Sequence, residues 1–440
     1  MKVLLIGSGA REHAIAEAFR RNKIAELYSY MKSKNPGIFS LSKNIELGSY
    51  SDLEKIKKFA AENEADFAFI GPEEPLSLGV VDALEHEGIN VVGPTKLMAR
   101  LETSKSFTRE LLQKYNIDGN PNFKVFNKNN FEDIKYFMNE LEGVVVKPDG
   151  LTGGKGVKVQ GDHFNTKKEA LDYCKEVLKT HPAVIIEEKL DGEEFSLQCL
   201  TDGKTVIATP PVQDHKRAFD DDKGPNTGGM GSYSCENHLL PFLKKEHVVK
   251  ALEITKKAAK AINEETGLYY KGVMYGGFIL TKKGVKLVEY NARFGDPEAM
   301  NVLPLLKTDF TSLCHAIITQ ELNRVKVEFE KKATVCKYAV PKGYPDNPLK
   351  NEKIEISKNK GKSNGKARVY YASVEQRNNA LYMLGSRAIA FLGIGDNLDE
   401  AEKIAEEAVS CAKGKVFHRK DIGTKKLIEK RVRHVEKFMK

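Results

Sequence analysis

Three short apolar runs in the first hundred residues, KVLLIG, ADFAFIG and INVVGP, each run into a glycine. Between them lie REHAIAEAFRRN, SDLEKIKKFAAEN and LGVVDALEHEG, whose apolar residues recur at helical spacing. Strand alternating with helix implies a parallel α/β sheet, with MKVLLIG as a buried first strand. Ligands of such sheets sit outside the carboxyl ends of the strands, so GSGAREH (7–13) and GPEEPLSLG (71–79) are candidate binding loops. GSGARE is not a dinucleotide fingerprint, because the third glycine would fall at Glu12. Gly7 and Gly9 still let amides approach an anion at a helix start, with Arg11 adding charge, although a plain tight turn fits equally well.

A helix over 102–115 (ETSKSFTRELLQKY) opens a second region. A sheet-rich stretch follows (FKVF, GVVVK, VKVQ, AVIIEEKL, EFSLQCL, KTVIATPPV), interrupted by helices NFEDIKYFMNEL and TKKEALDYCKEVLK. Over 213–234 the pattern dissolves into QDHKRAFDDDKGPNTGGMGSYS, too long and polar for a mere connector. A long helix (243–265) leads to the expected hairpin GVMYGGFILTKKGVKLVEYN, and from 332 a last α/β segment begins. At 440 residues, two to four domains are expected.

No apolar run approaches the ~18–20 residues of a membrane span, and Arg11 and Glu12 follow the first apolar run too soon for a signal peptide. Six cysteines without a CxxC pair argue against zinc clusters and redox motifs and suit reduced, buried thiols in the cytoplasm. Net charge is +9, and residues 417–440 hold nine Lys/Arg against three Asp/Glu. No aromatics interleave with KKLIEKRVRHVEK as base stacking would require, so this reads as a solvated helical face. The positive balance also suits polyanionic small substrates such as nucleotides.

Within GVKLVEYNARFGDPE (284–298), Glu289 and Asn291 are two apart on an expected strand and share a face. A carboxylate and an amide oxygen there suit Mg²⁺, which prefers hard oxygen ligands. Arg293 joins that face if the strand continues, and its planar fork could take phosphate oxygens. An ordinary polar face on an exposed strand has the same spacing. VVVKPDGLTGGKGVKV (144–159) fails the P-loop test, since Gly156 rather than Ser or Thr follows Lys155. Lys147 nevertheless ends an apolar run, and glycines 150, 153, 154 and 156 allow a flap whose amides can wrap an anion. VIIEEKLDGEEF then supplies a strand ending in acids, able to offer backbone groups to adenine and a carboxylate to ribose.

With VVKPDGLTGGKGV, VIIEEKLDGEEFS, QDHKRAFDDDKGPNTGGMGSYS, VEYNARFGDPEAM and FHRKDIGTKKL in this order, the chain resembles the ATP-grasp ligases, most closely the phosphoribosylamine–glycine ligases of purine biosynthesis. The resemblance implies an amino-terminal parallel α/β domain (1–103), an ATP-grasp domain (104–331) with a lid subdomain at about 120–192, and a carboxy-terminal α/β domain (332–440). It implies that Lys105 and Lys147 bind ATP, that the flap with Gly153, Gly154 and Lys155 closes over the triphosphate, and that Glu187, Glu188 and Leu190 form the adenine hinge. Glu194 would hold ribose, Glu289 and Asn291 would bind Mg²⁺ or Mn²⁺, and Arg293 would neutralise the moving phosphoryl group with Lys155. Asp214, His215, Lys216, Arg217, Asn226, Gly228, Gly229 and Asp296 would border glycine and phosphoribosylamine, with Gly9, Arg11 and Glu73 at the sugar phosphate. The strand before the Glu-x-Asn strand, VMYGGFIL, lacks the acid that many ATP-grasp enzymes place there. The expected partners are the small substrates, with no nucleic acid or membrane, for a monomer or small homo-oligomer. Two other readings remain: a different ATP-grasp carboxylate–amine ligase, disfavoured by RFGDPE and GPNTGGMG, and a non-catalytic nucleotide or nucleic-acid binder, which has no need of Glu289-x-Asn291.

Overall fold

The computed structural model describes residues 1–128, 131–151, 156–357 and 366–440. The amino-terminal runs form a five-stranded parallel sheet in the order Asn44–Leu47, Glu26–Met31, Lys2–Ile6, Phe67–Ile70, Asn90–Val92. Val3 to Ile6 and Phe67 to Ile70 are all buried, which is why these strands read as unbroken apolar runs. Strand order reverses at Lys2–Ile6, so the loops after Lys2–Ile6 and Phe67–Ile70 flank the switch-point crevice.

The glycines ending these two strands make room for one side chain. A Cβ on Gly7 or Gly71 would lie 2.2 Å from Glu12 Cγ. The Glu12 carboxylate accepts Gly9 N at 2.6 Å and Arg11 Nε at 2.5 Å. The carboxylate at this helix start is therefore the protein's own, and it engages the Gly9 amide.

The expected helix over 102–115 is two helices, Arg100–Thr103 and Lys105–Lys114. Ser104 is extended (φ −139°), and its Oγ caps the second helix by accepting Phe107 N. Next, strands Phe123–Asn127, Ala183–Glu188, Val144–Pro148 and Lys158–Val159 form an antiparallel sheet in that order. With helices Phe131–Glu140 and Lys167–Thr180 it encloses its own core, including Phe126, Ile134, Phe137, Val146, Cys174 and Ile186. A second antiparallel sheet runs Val206–Ala208, Gly192–Thr201, Gly272–Thr281, Gly284–Asn291 and packs on helix Lys245–Thr266.

The patternless segment 213–234 contains four short strands. Arg217–Phe219 pairs with Lys223–Asn226, while Gln213–Asp214 and Gly231–Ser234 join the carboxy-terminal sheet through Ala333–Pro341. Strands of two to four residues are too short to show alternation. The last helix, Lys425–Met439, is not wholly a solvated face. Leu427 and Val435 are buried, Arg431 pairs with Asp222 at 2.6 Å, and His434 contacts Glu193 at 2.8 Å. All six cysteines are free and buried, and no helix among the described residues is long and apolar enough to cross a membrane.

Candidate active site

The site is built around the strand Gly284–Asn291. Its partner Gly272–Thr281 places Gly277 opposite Glu289 and Phe278 opposite Leu287, so Val288 is a β-bulge. After the bulge Tyr290 is buried, while Glu289 and Asn291 face the other way, on the expected shared face. The strand stops at Asn291, so Arg293 lies on the following loop rather than continuing that face.

The expected cations converge on Glu289. Burial opposes its charge, yet Lys216, Lys147, Lys105 and Arg293 together hold its carboxyl below the usual range. Lys216 Nζ lies 4.0 Å from Glu289 and 3.4 Å from Glu194, and its own affinity for a proton is raised chiefly by Glu194. Lys105 Nζ donates to Gly150 O at 2.7 Å, at the base of the expected flap. Asp149 beside it accepts Ser106 N at 3.1 Å and the hydroxyls of Ser104 and Ser106. Gly153, Gly154 and Lys155 lie outside the described residues.

Lys147 is buried at the joint between the small sheet and the central strand. Its Nζ meets Glu187 at 2.7 Å and donates to the bulged Val288 carbonyl at 3.1 Å. Glu187 also receives Arg109 through Nε at 2.6 Å and Nη2 at 3.0 Å, while Arg109 donates to Leu287 O and Val288 O. Burial works against the Glu187 charge, but Arg109 and Lys147 draw its carboxyl down to about 2. One carboxylate serves two buried cations, so burial, reinforced by Arg109, lowers the Lys147 pKa despite Glu187. Both oxygens of the Glu187 side chain are therefore engaged internally. Glu188 accepts Asn122 N at 2.9 Å, and Leu190 follows the strand end half-buried.

A chain of alternating charges joins the amino-terminal loops to the loop after Asn291. Arg11, bound to Glu12, donates to Phe294 O at 3.0 Å and lies 3.6 Å from Glu73. Glu73 lies 3.3 Å from Arg293, whose Nη2 reaches Glu102 at 2.8 Å. Burial disfavours the Glu73 charge, but Arg293 and Arg11 pull it down to about 2. Arg11 is thus buried and paired within the protein, between Glu12 and Glu73.

On the opposite side, Asp214 is half-buried; burial and neighbouring Glu298 hold its carboxyl well above the ordinary range. His215, beside it, is buried away with its ring against Tyr233. Arg217 pairs with Asp162 at 2.8 Å and donates to Gly224 O, so its guanidinium is taken up by loop contacts. Asn226 pairs with Arg217 in the short hairpin. Asp296 accepts Tyr338 OH at 2.6 Å and lies 3.1 Å from Arg387 Nη1. Arg387 also donates to Gly228 O at 2.7 Å and Gly229 O at 3.2 Å, tying both glycines to Asp296. Arg387, Tyr338, Arg109, Glu102 and Glu298 were not legible as site residues. Glu102 alone carried a hint, being an acid three residues before Lys105.

Glu289 and Asn291 are a two-oxygen donor set, and Gly277 opposite Glu289 supplies no third side chain. Among the described residues no group of three or more His, Cys, Asp or Glu could hold a metal alone. The pair fits a hard divalent cation that takes its remaining ligands from phosphate and water. A cavity of about 760 Å³ elsewhere, lined by Lys204, Lys256, Lys260 and Tyr269, carries none of the expected site residues.

The chain matches Phosphoribosylglycinamide synthetase over three successive domains: the N domain at residues 1–102, the ATP-grasp (A) domain at 103–299 and the C domain at 334–425. It is 53% identical over 439 residues to the phosphoribosylamine–glycine ligase of Methanocaldococcus jannaschii, covering 98% of each chain. It is 51% identical over 447 residues to that of Methanococcus maripaludis, covering all of both. Among solved structures it resembles phosphoribosylamine–glycine ligase from Thermotoga maritima with a TM-score of 0.81 and 28% identity, over 96% of this chain and 100% of that one. The chain therefore belongs to the phosphoribosylglycinamide synthetase family.

Proposed function

We propose that this protein joins glycine to 5-phospho-D-ribosylamine at the expense of ATP, giving glycinamide ribonucleotide, ADP and phosphate in de novo purine biosynthesis. The carrying observation is that Lys105, Lys147, Lys216 and Arg293, scattered over nearly two hundred residues, converge on Glu289. A site with that many cations around one ionised carboxylate is suited to a polyphosphate and its counter-ion.

Glycine's carboxylate is a poor electrophile. One of its oxygens attacks the γ-phosphorus, the bond to ADP breaks, and a glycyl phosphate results. The substrate amine then attacks the acyl carbon, phosphate leaves with the C–O bonding pair, and the amine loses a proton. Lys105, Lys147 and Lys155 hold the nucleotide phosphates, and Arg293 steadies the transferring group. The backbone of Glu187 to Leu190 lies against adenine, and Glu194 against ribose. Glu289 and Asn291 would hold Mg²⁺ or Mn²⁺, which supplies charge neutralisation between phosphates. The loops at Asp214, Lys216, Arg217, Asn226, Gly228, Gly229 and Asp296 border the amine and amino-acid substrates, Gly9, Arg11 and Glu73 contribute to the sugar-phosphate site, and Gly153 and Gly154 let the flap shield the acyl phosphate from water.

The domains we assign are 1–103, 104–331 with a lid at about 120–192, and 332–440, in a cytoplasmic monomer or small homo-oligomer that binds no nucleic acid. ADP release measured with glycine and phosphoribosylamine omitted in turn tests the reading. Release should require glycine and rise with the amine; equal release without glycine, or none at all, overturns it.

A further inference from the structure

We infer that Glu102 is a positioning residue for phosphoryl transfer, clamping Arg293 and the backbone beside it in one orientation; the inference rests on the proposed role of Arg293. The geometry is a two-point hold. Glu102 Oε1 takes Arg293 Nη2 at 2.8 Å, and Oε2 takes the backbone N–H of Ala292 at 2.7 Å. Its side chain is only 4% exposed, so water does not compete for either oxygen. The hold falls where the central strand has ended and the loop carries no ladder bond to fix Arg293.

The other contacts of Arg293 do not fix it. Its Nε lies 3.3 Å from Glu73 without hydrogen-bond geometry, and Glu73 is shared with Arg11. Its Nη1 bonds the adjacent Phe294 carbonyl, which constrains the loop more than the guanidinium direction. Among the described residues, Glu102 alone couples both the side chain and the main chain of this loop to a separate element, the short helix Arg100–Thr103. That helix ends one residue before Ser104 and Lys105, which grip Asp149 and Gly150. The same turn therefore sets both Arg293 and the base of the flap loop.

The charged and titratable groups facing Glu102 are Arg293, Glu73 and Arg11, with Tyr270 from the segment before the hairpin. Burial lifts the Glu102 carboxyl to about 7 against the pull of Arg293. A group raised this way is neutral at lower pH and ionised above, so the clamp strengthens as pH rises through about 7.

Steady-state kinetics of Glu102→Gln and Glu102→Asp, with each substrate varied, test the inference. Glu102→Gln should lower kcat at least tenfold with KM for ATP changed less than threefold, and should lose the acid limb of the wild-type kcat profile near pH 7. Glu102→Asp keeps the charge but not the reach to both partners, so it should recover part of kcat. Turnover of either variant within twofold of wild type overturns the inference; so does a loss confined to KM. If Glu102→Gln does not fold, Glu102→Asp decides alone. Wild-type enzyme lacking glycine-dependent ADP release would instead overturn the proposed function, so the two failures are separable.

Discussion

Glu187 carries a prediction that follows directly from its two partners. Glu187→Gln keeps the side chain's shape and one acceptor oxygen but removes the charge. Arg109 and Lys147 have side chains 3% and 7% exposed, and both lose the carboxylate that neutralises them. Arg109 keeps Asn120 Oδ1 and the Leu287 and Val288 carbonyls, and Lys147 keeps Val288 O, so neither loses all its hydrogen bonds. What is lost is mainly charge compensation. A carboxyl drawn from its ordinary 4.5 to about 2 is favoured in its ionised folded form by about 3 kcal/mol, at about 1.4 kcal/mol per factor of ten in proton affinity. Breaking one side of a buried ion pair costs a similar ~3–5 kcal/mol. Because the folded value is depressed, this contribution is complete above pH 4.5 and vanishes as pH falls towards 2.

The chain has several cores and no Trp, so a single fluorescence melt does not isolate this joint. Hydrogen exchange read in the strands Val144–Pro148 and Ala183–Glu188 does. A loss of about 3 kcal/mol accelerates their slowest exchanging amides roughly a hundredfold at neutral pH. Arg109→Met added to Glu187→Gln removes one stranded cation, so the double variant should be more protected than the sum of the single effects predicts. Exchange within threefold of wild type in both strands, or strict additivity, would refute the shared-carboxylate argument.

Glu289→Ala should lower turnover at least about a thousandfold while leaving circular dichroism unchanged, as ADP release and melting curves would show. Arg387→Met frees the Gly228 and Gly229 carbonyls and Asp296; we expect kcat/KM for phosphoribosylamine to fall about 10- to 100-fold with KM for ATP nearly constant, measured by substrate titration. Gly231→Ala places a Cβ 2.2 Å from Cys336 O at φ +154°, and denaturant unfolding should register a loss above about 3 kcal/mol. Burial holds His13 at about 4 and His215 at about 3, below their ordinary 6.5. The unfolded chain binds more protons in that window, so stability should fall as pH drops from 6.5 towards 4. The fall should be shallower in His13→Asn and His215→Asn melts; equal slopes would contradict it.

The amino-terminal sheet was legible because burial on both faces leaves its strands no room for polar residues, and because Gly7 and Gly71 must yield space to Glu12. Lys147 and the Glu289-x-Asn291 pair were legible because strand ends and strand periodicity fix where such side chains point. Their counter-charges were not. Arg109 finds Glu187 78 residues away, and Arg387 finds Asp296 at a separation of 91, and neither distance leaves a local pattern. The Val288 bulge was equally hidden, since one extra residue in a ladder shows only when the partner strand is in place. The short strand Gly231–Ser234 escaped for the same reason: it is defined by pairing with Ala333–Pro341, a hundred residues on.

Those hidden partners compensate the charge of so cationic a site. Three of these cations are held by carboxylates with differing commitment. Lys216, 3.4 Å from Glu194 and 4.0 Å from Glu289, is the most loosely paired of the three. Lys147 shares Glu187 with Arg109, so it keeps uncompensated charge while its position is fixed by Val288 O. Arg293 is clamped by Glu102, with Glu73 adding nearby charge, and turns least. The site thus combines one loosely paired cation, one fixed and under-neutralised cation and one fixed and compensated cation. In the proposed reaction these suit successive tasks: Lys216 for capture, Lys147 for holding the nucleotide, and Arg293 for the phosphoryl group whose charge shifts only during transfer.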